Sequence, residues 1–260
     1  MIPASDHGSN SPALVFLHYF GGSRHEWTEV IDGLAVEYRC LAADLPGFGG
    51  AAALTGFSVE EMVDSVAGLI QSRELSRFIL VGHSMSGKVA MVLASRSLAG
   101  LEGLILVASS PPSPEPMSEQ DRQNTLLNHG DRSSAEQLMG KITAKPLPAP
   151  LFEQAVGDNL RSSAAAWAAW LEYGSREDWS ARVGILAIPA LVVTGDDDPI
   201  LPASVQKRFT LPHLSNAKMV GVPGSGHLVP LEAPTTLRLL ILDFVREHGL
   251  DGKPTGSSDR

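Results

Sequence analysis

The sequence predicts a doubly wound α/β fold, a mostly parallel sheet with helices on both faces and a helical insertion at its carboxyl edge. Three observations carry this. Short, nearly continuous apolar runs alternate with helical patterns along most of the 260 residues. The alternation stops between 111 and 186, where helical patterns follow one another without a strand. A serine, a group of aspartates and a histidine each stand just after an apolar run, where such a sheet delivers side chains to one edge.

The elements follow in order. Residues 1–12, "MIPASDHGSNSP", are polar and turn-rich and are expected to form a loose arm. Six runs read as strands: "ALVFLHYF" (13–20), "RCLAAD" (39–44), "FILVG" (78–82), "LEGLILVAS" (101–109), "ALVVTG" (190–195) and "AKMVGVPG" (217–224). Their continuous apolar character fits parallel strands covered on both faces. The clearest helix is 59–73, where Val59, Met62, Val63, Val66, Leu69 and Ile70 recur at three-to-four spacing. Ser58 and Glu61 form a capping box at its start. Further helices are expected from Met85 to about Leu98 and from about Pro234 to His248. The insertion opens on "PPSPEP" and offers helical pieces at 118–129, 133–142, 150–161 and 163–173. No internal repeat is present at solenoid or propeller periods. The expected organisation is a core of 1–110 and 187–250, a helical cap of 111–186 and a disordered tail of 251–260.

Bulk properties narrow the partners. Apolar residues make up 43% and charged residues 19%, a globular composition. The net charge of −9 argues against nucleic acid or an anionic membrane as the main partner, since both need basic surface. No run reaches the roughly 18 apolar residues of a membrane span. No Lys or Arg precedes Arg24, so the basic start of a secretory signal is missing and a cytoplasmic location is expected. The single cysteine, Cys40, sits in an apolar run and reads as core. No His, Cys or Glu cluster has metal-ligand spacing, so neither metal nor cofactor is expected.

"FILVGHSMSGKVA", residues 78–90, admits two chemistries. Gly82 to Lys88 is nearly a phosphate-binding loop, but Val89 replaces the hydroxyl residue that would hold magnesium. Gly82-His83-Ser84-Met85-Ser86 is nearly a nucleophile elbow, G-x-S-x-G, with Ser86 in place of the last glycine. Serine is the next smallest polar residue, so this departure is tolerable. Restoring glycine there is expected to cost only a fraction of a kcal/mol in helix entropy. Downstream, "TGDDDPILP" and "GVPGSGHLVPLEAP" follow two further strands. The chain order is therefore Ser84, an aspartate among 196–198, then His227.

These segments together resemble the α/β-hydrolase superfamily over most of the chain. "LHYFGG" resembles the family's oxyanion turn and "DLPGFG" its Asp-x-x-Gly-x-Gly turn. "VGHSMSGKVA" resembles the elbow, "GDDDPILP" the acid turn, and "GHLVPLEAP" the histidine turn. The family's usual strands before the oxyanion turn are missing or cut short. The resemblance implies Ser84 as nucleophile and His227 as base. It places the acid three residues after Gly195, at Asp198, with Asp196 and Asp197 as turn formers. Pro199 restricts Asp198 to extended backbone. It further implies an oxyanion hole from the backbone N–H groups of Phe20 and Met85. The family has glycine where this chain has Tyr19, which either packs under the cap or touches substrate. His18 is expected to orient the oxyanion loop, His83 to bond beneath the sheet, Asp44 to fix a turn, and Glu232 to support the histidine loop. Trp167 and Trp170, with Leu171, form a stripe that packs the cap or lines a pocket.

The function this implies is hydrolysis of a small or medium carboxylic ester, or another activated acyl compound, through an acyl-enzyme on Ser84. Perhydrolysis of the cofactor-free haloperoxidase type and carbon–carbon bond hydrolysis use the same triad. A small-molecule receptor that kept the fold is the non-enzymatic alternative. The partner is a small acyl substrate, and the sequence does not set the oligomeric state.

Overall fold

All six apolar runs form strands, and a seventh joins them. The computed structural model describes residues 1–251. The expected tail, apart from Asp251, lies outside the described residues. The strands are β1 (Ala4–His7), β2 (Ala13–Leu17), β3 (Arg39–Ala43), β4 (Phe78–His83), β5 (Leu101–Val107), β6 (Ala190–Gly195) and β7 (Ala217–Val222), in the sheet order β1-β3-β2-β4-β5-β6-β7. All pairs are parallel except β1 with β3.

β1 corrects the expected loose arm. Ala4 pairs with Ala43 and His7 with Cys40. Its side chains are only half-buried or exposed, because it is an edge strand with a single partner. Its backbone hydrogen bonds and the Asp6–Arg39 ion pair (2.8 Å) hold it without an apolar signal.

Strand alternation sorts the runs between two cores. In β2, Leu14 and Phe16 face α1 (Thr28–Leu34) and the C-terminal helix Pro234–Glu247, with Ile31, Leu34, Leu237 and Ile241. Val15 and Leu17 face α2 (Val59–Ser72) and α3 (Met85–Ser95), with Met62, Val66, Val89 and Val92. Each such fully buried side chain contributes about 1.5–3 kcal/mol from apolar area removed from water. The Ser58–Glu61 capping box closes the start of α2.

Between β5 and β6 come α4 (Glu119–Leu127), α5 (Arg132–Ile142), α6 (Ala149–Arg161) and α7 (Ala164–Ala169), the last running into a wide π turn, Trp170–Gly174, and then a single helical turn, Ser180–Val183. Ser118, Asp131 and Ser163 cap the starts of α4, α5 and α7. Ala166, Trp167, Trp170 and Leu171 join the core on the α3 side. Ala135, Met139, Ile142 and Val156 pack instead with Tyr19, Leu228 and Leu231. The helices thus rest on the turns that follow β2, β4 and β7. Successive strands wind outward in opposite directions from the β2–β4 boundary, the switch point where open α/β sheets bind ligands. No described helix is long and apolar enough to cross a membrane.

Candidate active site

β4 ends at His83 and α3 begins at Met85, which leaves Ser84 alone in the turn. Its backbone has φ 52° and ψ −119°, a sparsely populated conformation that costs about 1–3 kcal/mol in a non-glycine residue. Two bonds to the neighbouring strand hold it there. Ser84 N–H donates to Val107 O (2.9 Å), and Ser110 N–H donates to Ser84 O (2.9 Å). The turn is tight enough to require glycine on both sides. A Cβ on Gly82 would lie 2.7 Å from Ser86 O, and one on Gly87 would lie 2.0 Å from Ser109 Oγ.

Ser86 does more than fit. Its buried hydroxyl donates to Leu17 O (2.7 Å), with His83 O also in reach (3.0 Å), and accepts from His83 N–H (3.0 Å). It therefore ties the elbow to the end of β2, just before the turn holding Phe20. This revises the expected effect of restoring glycine. Ser86→Gly leaves buried groups unpaired, at about 1–3 kcal/mol, and adds the helix cost of glycine. We expect Tm to fall by about 4–10 °C in thermal unfolding, with turnover reduced less than tenfold. An unchanged Tm would show that the hydroxyl bonds are worth nothing net.

The structure brings Ser84, Asp198 and His227 together. His227 Nε2 lies 2.8 Å from Ser84 Oγ, and His227 Nδ1 lies 2.9 Å from Asp198 Oδ2. The other oxygen of Asp198 accepts from the N–H groups of Ile200 (2.8 Å) and Leu201 (3.1 Å). Asp196 and Asp197 point to solvent, whereas Asp198 is 4% exposed. Burial pushes the Asp198 carboxyl up, but the His227 charge and the N–H donors outweigh it and hold it below the ordinary aspartate range. Burial pushes the His227 imidazole down. Asp198 outweighs this by charge and hydrogen bond, with Glu115 and Glu26 adding to it, so His227 titrates above its ordinary value.

The first turn completes the arrangement. Leu45 N–H donates to His18 Nε2 (3.0 Å), so His18 Nδ1 carries the proton and donates to Tyr19 O (2.7 Å). Gly22 N–H donates to the same oxygen (3.0 Å). With Tyr19 O held on that side, a trans peptide turns Phe20 N–H the opposite way. Neither Phe20 N–H nor Met85 N–H donates to a protein acceptor among the described residues. Tyr19 adopts no positive φ, so the glycine's freedom is not needed there. Its ring lies over Gly22, where a Cβ would come within 2.5 Å. Tyr19 both packs, against Ala135, Met139 and Leu228, and borders the cavity described next.

Above Ser84 lies a cavity of about 440 Å³, bordered by Tyr19, Phe20, Glu115, Trp167, Trp170 and His227. Trp167 and Trp170 are each 2% exposed, so they serve packing and lining together. Phe20 sits against Trp167 with ring centroids 4.2 Å apart, and Trp167 Nε1 donates to Thr125 O (3.0 Å).

Comparison with known proteins agrees with this architecture. The profile of the alpha/beta hydrolase family matches residues 14–238. The chain belongs to the alpha/beta hydrolase family. Among curated relatives, it is 30% identical over 252 residues to the dihydrolipoyllysine-residue acetyltransferase component of the acetoin cleaving system of Pseudomonas putida. That match covers 93% of this chain and 65% of the relative. It is 35% identical over 154 residues to 2-succinyl-6-hydroxy-2,4-cyclohexadiene-1-carboxylate synthase of Escherichia coli O8 (strain IAI1), covering 59% and 60% of the two chains. The chain thus spans under two thirds of the length of either relative. A solved esterase from Thermogutta terrifontis superposes with a TM-score of 0.83 at 24% identity, over 95% of this chain and 93% of that one. At that identity the likeness speaks for the fold.

Within this family fold, several contacts were not legible beforehand. His83 does not merely bond beneath the sheet. Its Nε2 lies 2.9 Å from His227 O and its Nδ1 lies 3.1 Å from Glu26 Oε1, so it carries the backbone of the histidine turn. Glu232 accepts from the N–H groups of Gly226 (3.0 Å), Leu228 (3.1 Å) and Ala144 (2.7 Å), binding the same turn to the end of α5. Asp44 accepts from Gly50 N–H (2.8 Å) and Arg24 N–H (2.7 Å), a turn-fixing role. Glu26 and Glu115 carried no signal as single charged residues in helical or proline-rich text, and Lys88 signalled only the phosphate-binding loop that Val89 breaks.

Proposed function

We propose that this protein is a serine hydrolase that cleaves small or medium carboxylic esters through an acyl-enzyme on Ser84. The observation that carries the reading is the Asp198–His227–Ser84 chain at the base of a cavity, beside two unengaged backbone N–H groups. A serine hydroxyl is a weak nucleophile at neutral pH and needs an adjacent base. In this reading His227 Nε2 takes the Ser84 proton as Oγ attacks the ester carbonyl. Phe20 and Met85 N–H stabilise the resulting oxyanion. His227 passes the proton to the departing alcohol, and water then attacks the acyl-enzyme by the same route in reverse. Asp198 keeps the proton on His227 Nδ1 and stabilises the imidazolium.

The cavity also bears on which acyl compounds fit. Its lining holds Glu115 and Asp121, no arginine, and one lysine, Lys141, which is exposed. This disfavours a carboxylate-bearing compound such as that named for the synthase relative. p-Nitrophenyl esters of increasing acyl length test the reading, as does labelling with a fluorophosphonate. A protein that turns over none of them and takes up no label is not a serine esterase.

A pH profile gives a further expectation. The base works only when neutral, and protonation removes it as pH falls through its pKa. Because His227 is raised above 6.5, kcat/KM should drop on the acid side with an apparent pKa above 6.5. An acid limb at or below 6.5 would contradict the coupling to Asp198.

A further inference from the structure

Ester hydrolysis on Ser84 gives Glu115 no contact with substrate, only the charge it adds to that of Asp198 on His227. This residue lies on the connection from β5 into α4. Its backbone is held on both sides, since Glu115 N–H donates to Ser175 O (2.8 Å) and Met117 N–H donates to Glu115 O (2.8 Å). Its side chain is partly exposed and borders the cavity that Ser84 and His227 open into. Among the described residues its carboxylate makes no ion pair, and its one side-chain partner is the Ser110 hydroxyl.

Of the three cationic groups whose charge acts on Glu115, His227 borders the cavity and works there as the neutral base, while Lys88 and Arg122 are committed elsewhere. Lys88 donates to Gly174 O (3.0 Å) and Glu177 O (3.0 Å), and its ammonium sits 5.6 Å from the Trp170 ring centroid. Arg122 donates to Leu171 O and Ser175 Oγ. Both are buried and neither borders the cavity, so the negative end of this charge arrangement faces the substrate space.

An aromatic ring shares that space, the half-buried Phe20, backed by the buried Trp167 and Trp170. Phe20 lies 4.2 Å from Trp167 and 6.4 Å from Trp170, centroid to centroid. Aromatic faces attract cations through their quadrupole, and a carboxylate in a partly desolvated wall attracts them more strongly. A carboxylate or phosphate substituent in the same place would meet like charge. A purely structural Glu115, balancing Lys88 at a distance, would need no border on the cavity.

Resting on the esterase reading above, we propose that Glu115 determines substrate class: the ester carries an ammonium group, which docks between the Glu115 carboxylate and the Phe20 ring that Trp167 and Trp170 back. Burial pushes the Glu115 carboxyl above its ordinary value, partly offset by Lys88, so the measurements belong at pH 8.

Two isosteric pairs isolate the charge. On the acyl side they are the p-nitrophenyl esters of 4-(trimethylammonio)butanoate and 5,5-dimethylhexanoate. On the alcohol side they are butyrylcholine and 3,3-dimethylbutyl butyrate. The readout is the cationic-to-neutral ratio of kcat/KM, in wild type and in Glu115→Gln. In at least one pair the ratio should fall about tenfold in the variant. A structural role would slow both members of a pair together and leave the ratio alone, and ratios unchanged within twofold in both pairs would overturn the proposal. Calorimetric binding of choline and 3,3-dimethylbutan-1-ol needs neither turnover nor the variant. Wild type should bind choline about tenfold more tightly, and equal or reversed affinities would also overturn it. The esterase reading fails separately, when hydrolysis of the neutral esters is absent or survives Ser84→Ala.

Discussion

Ser84→Ala should lower kcat for p-nitrophenyl ester hydrolysis by about 10⁴–10⁶-fold, the scale of nucleophile knockouts in serine hydrolases. The fold should survive. Among the described residues Ser84 Oγ bonds only to His227 Nε2, and the backbone bonds to Val107 and Ser110 that set the elbow do not involve the side chain. Alanine at φ 52° is strained about as much as serine, so the conformational cost is already present in the wild type. Losing Oγ leaves His227 Nε2 facing the cavity, where water can replace it. The variant should therefore melt within a few degrees of wild type and resist fluorophosphonate labelling. Retention of more than about a tenth of wild-type kcat would show that Ser84 is not the nucleophile.

The sequence already contained the sheet, because parallel strands buried on both faces must be apolar throughout and their text says so. It also contained the order of Ser84, the aspartates and His227, because each follows a strand. β1 was hidden for the opposite physical reason. An edge strand with one partner is held by backbone bonds, and "ASDH" has no apolar pattern to show it. The partners of the Ser86 hydroxyl were hidden because an elbow motif speaks of size, while the buried acceptor Leu17 O lies 69 residues away. The partners of His83, Glu26 and His227 O, come from separate parts of the chain, and no local spacing reports them. Glu115 stood inside "PPSPEP", where prolines advertise a turn and hide which side chain the turn presents.

Asp198→Asn should cut kcat by about 10³–10⁴-fold, while Asp196→Asn and Asp197→Asn each change it less than about twofold. The reason lies in which way the new amide must face. In the native protein one carboxylate oxygen accepts from Ile200 and Leu201 N–H, and the other from His227 Nδ1. Two backbone donors demand an oxygen, so the asparagine carbonyl takes that side and its NH₂ turns to His227. An NH₂ group can only donate, which forces Nδ1 to accept and moves the ring proton to Nε2. A protonated Nε2 faces Ser84 Oγ and cannot take its proton. The same change removes the charge that raises the His227 pKa. The acid limb of the residual activity should therefore shift to lower pH than in wild type. Asp196 and Asp197 are exposed, and neither reaches the imidazole, so their amides alter only solvated charge. kcat measured on one ester across the three variants decides the matter: a large loss in Asp197→Asn with Asp198→Asn near wild type would move the acid to Asp197.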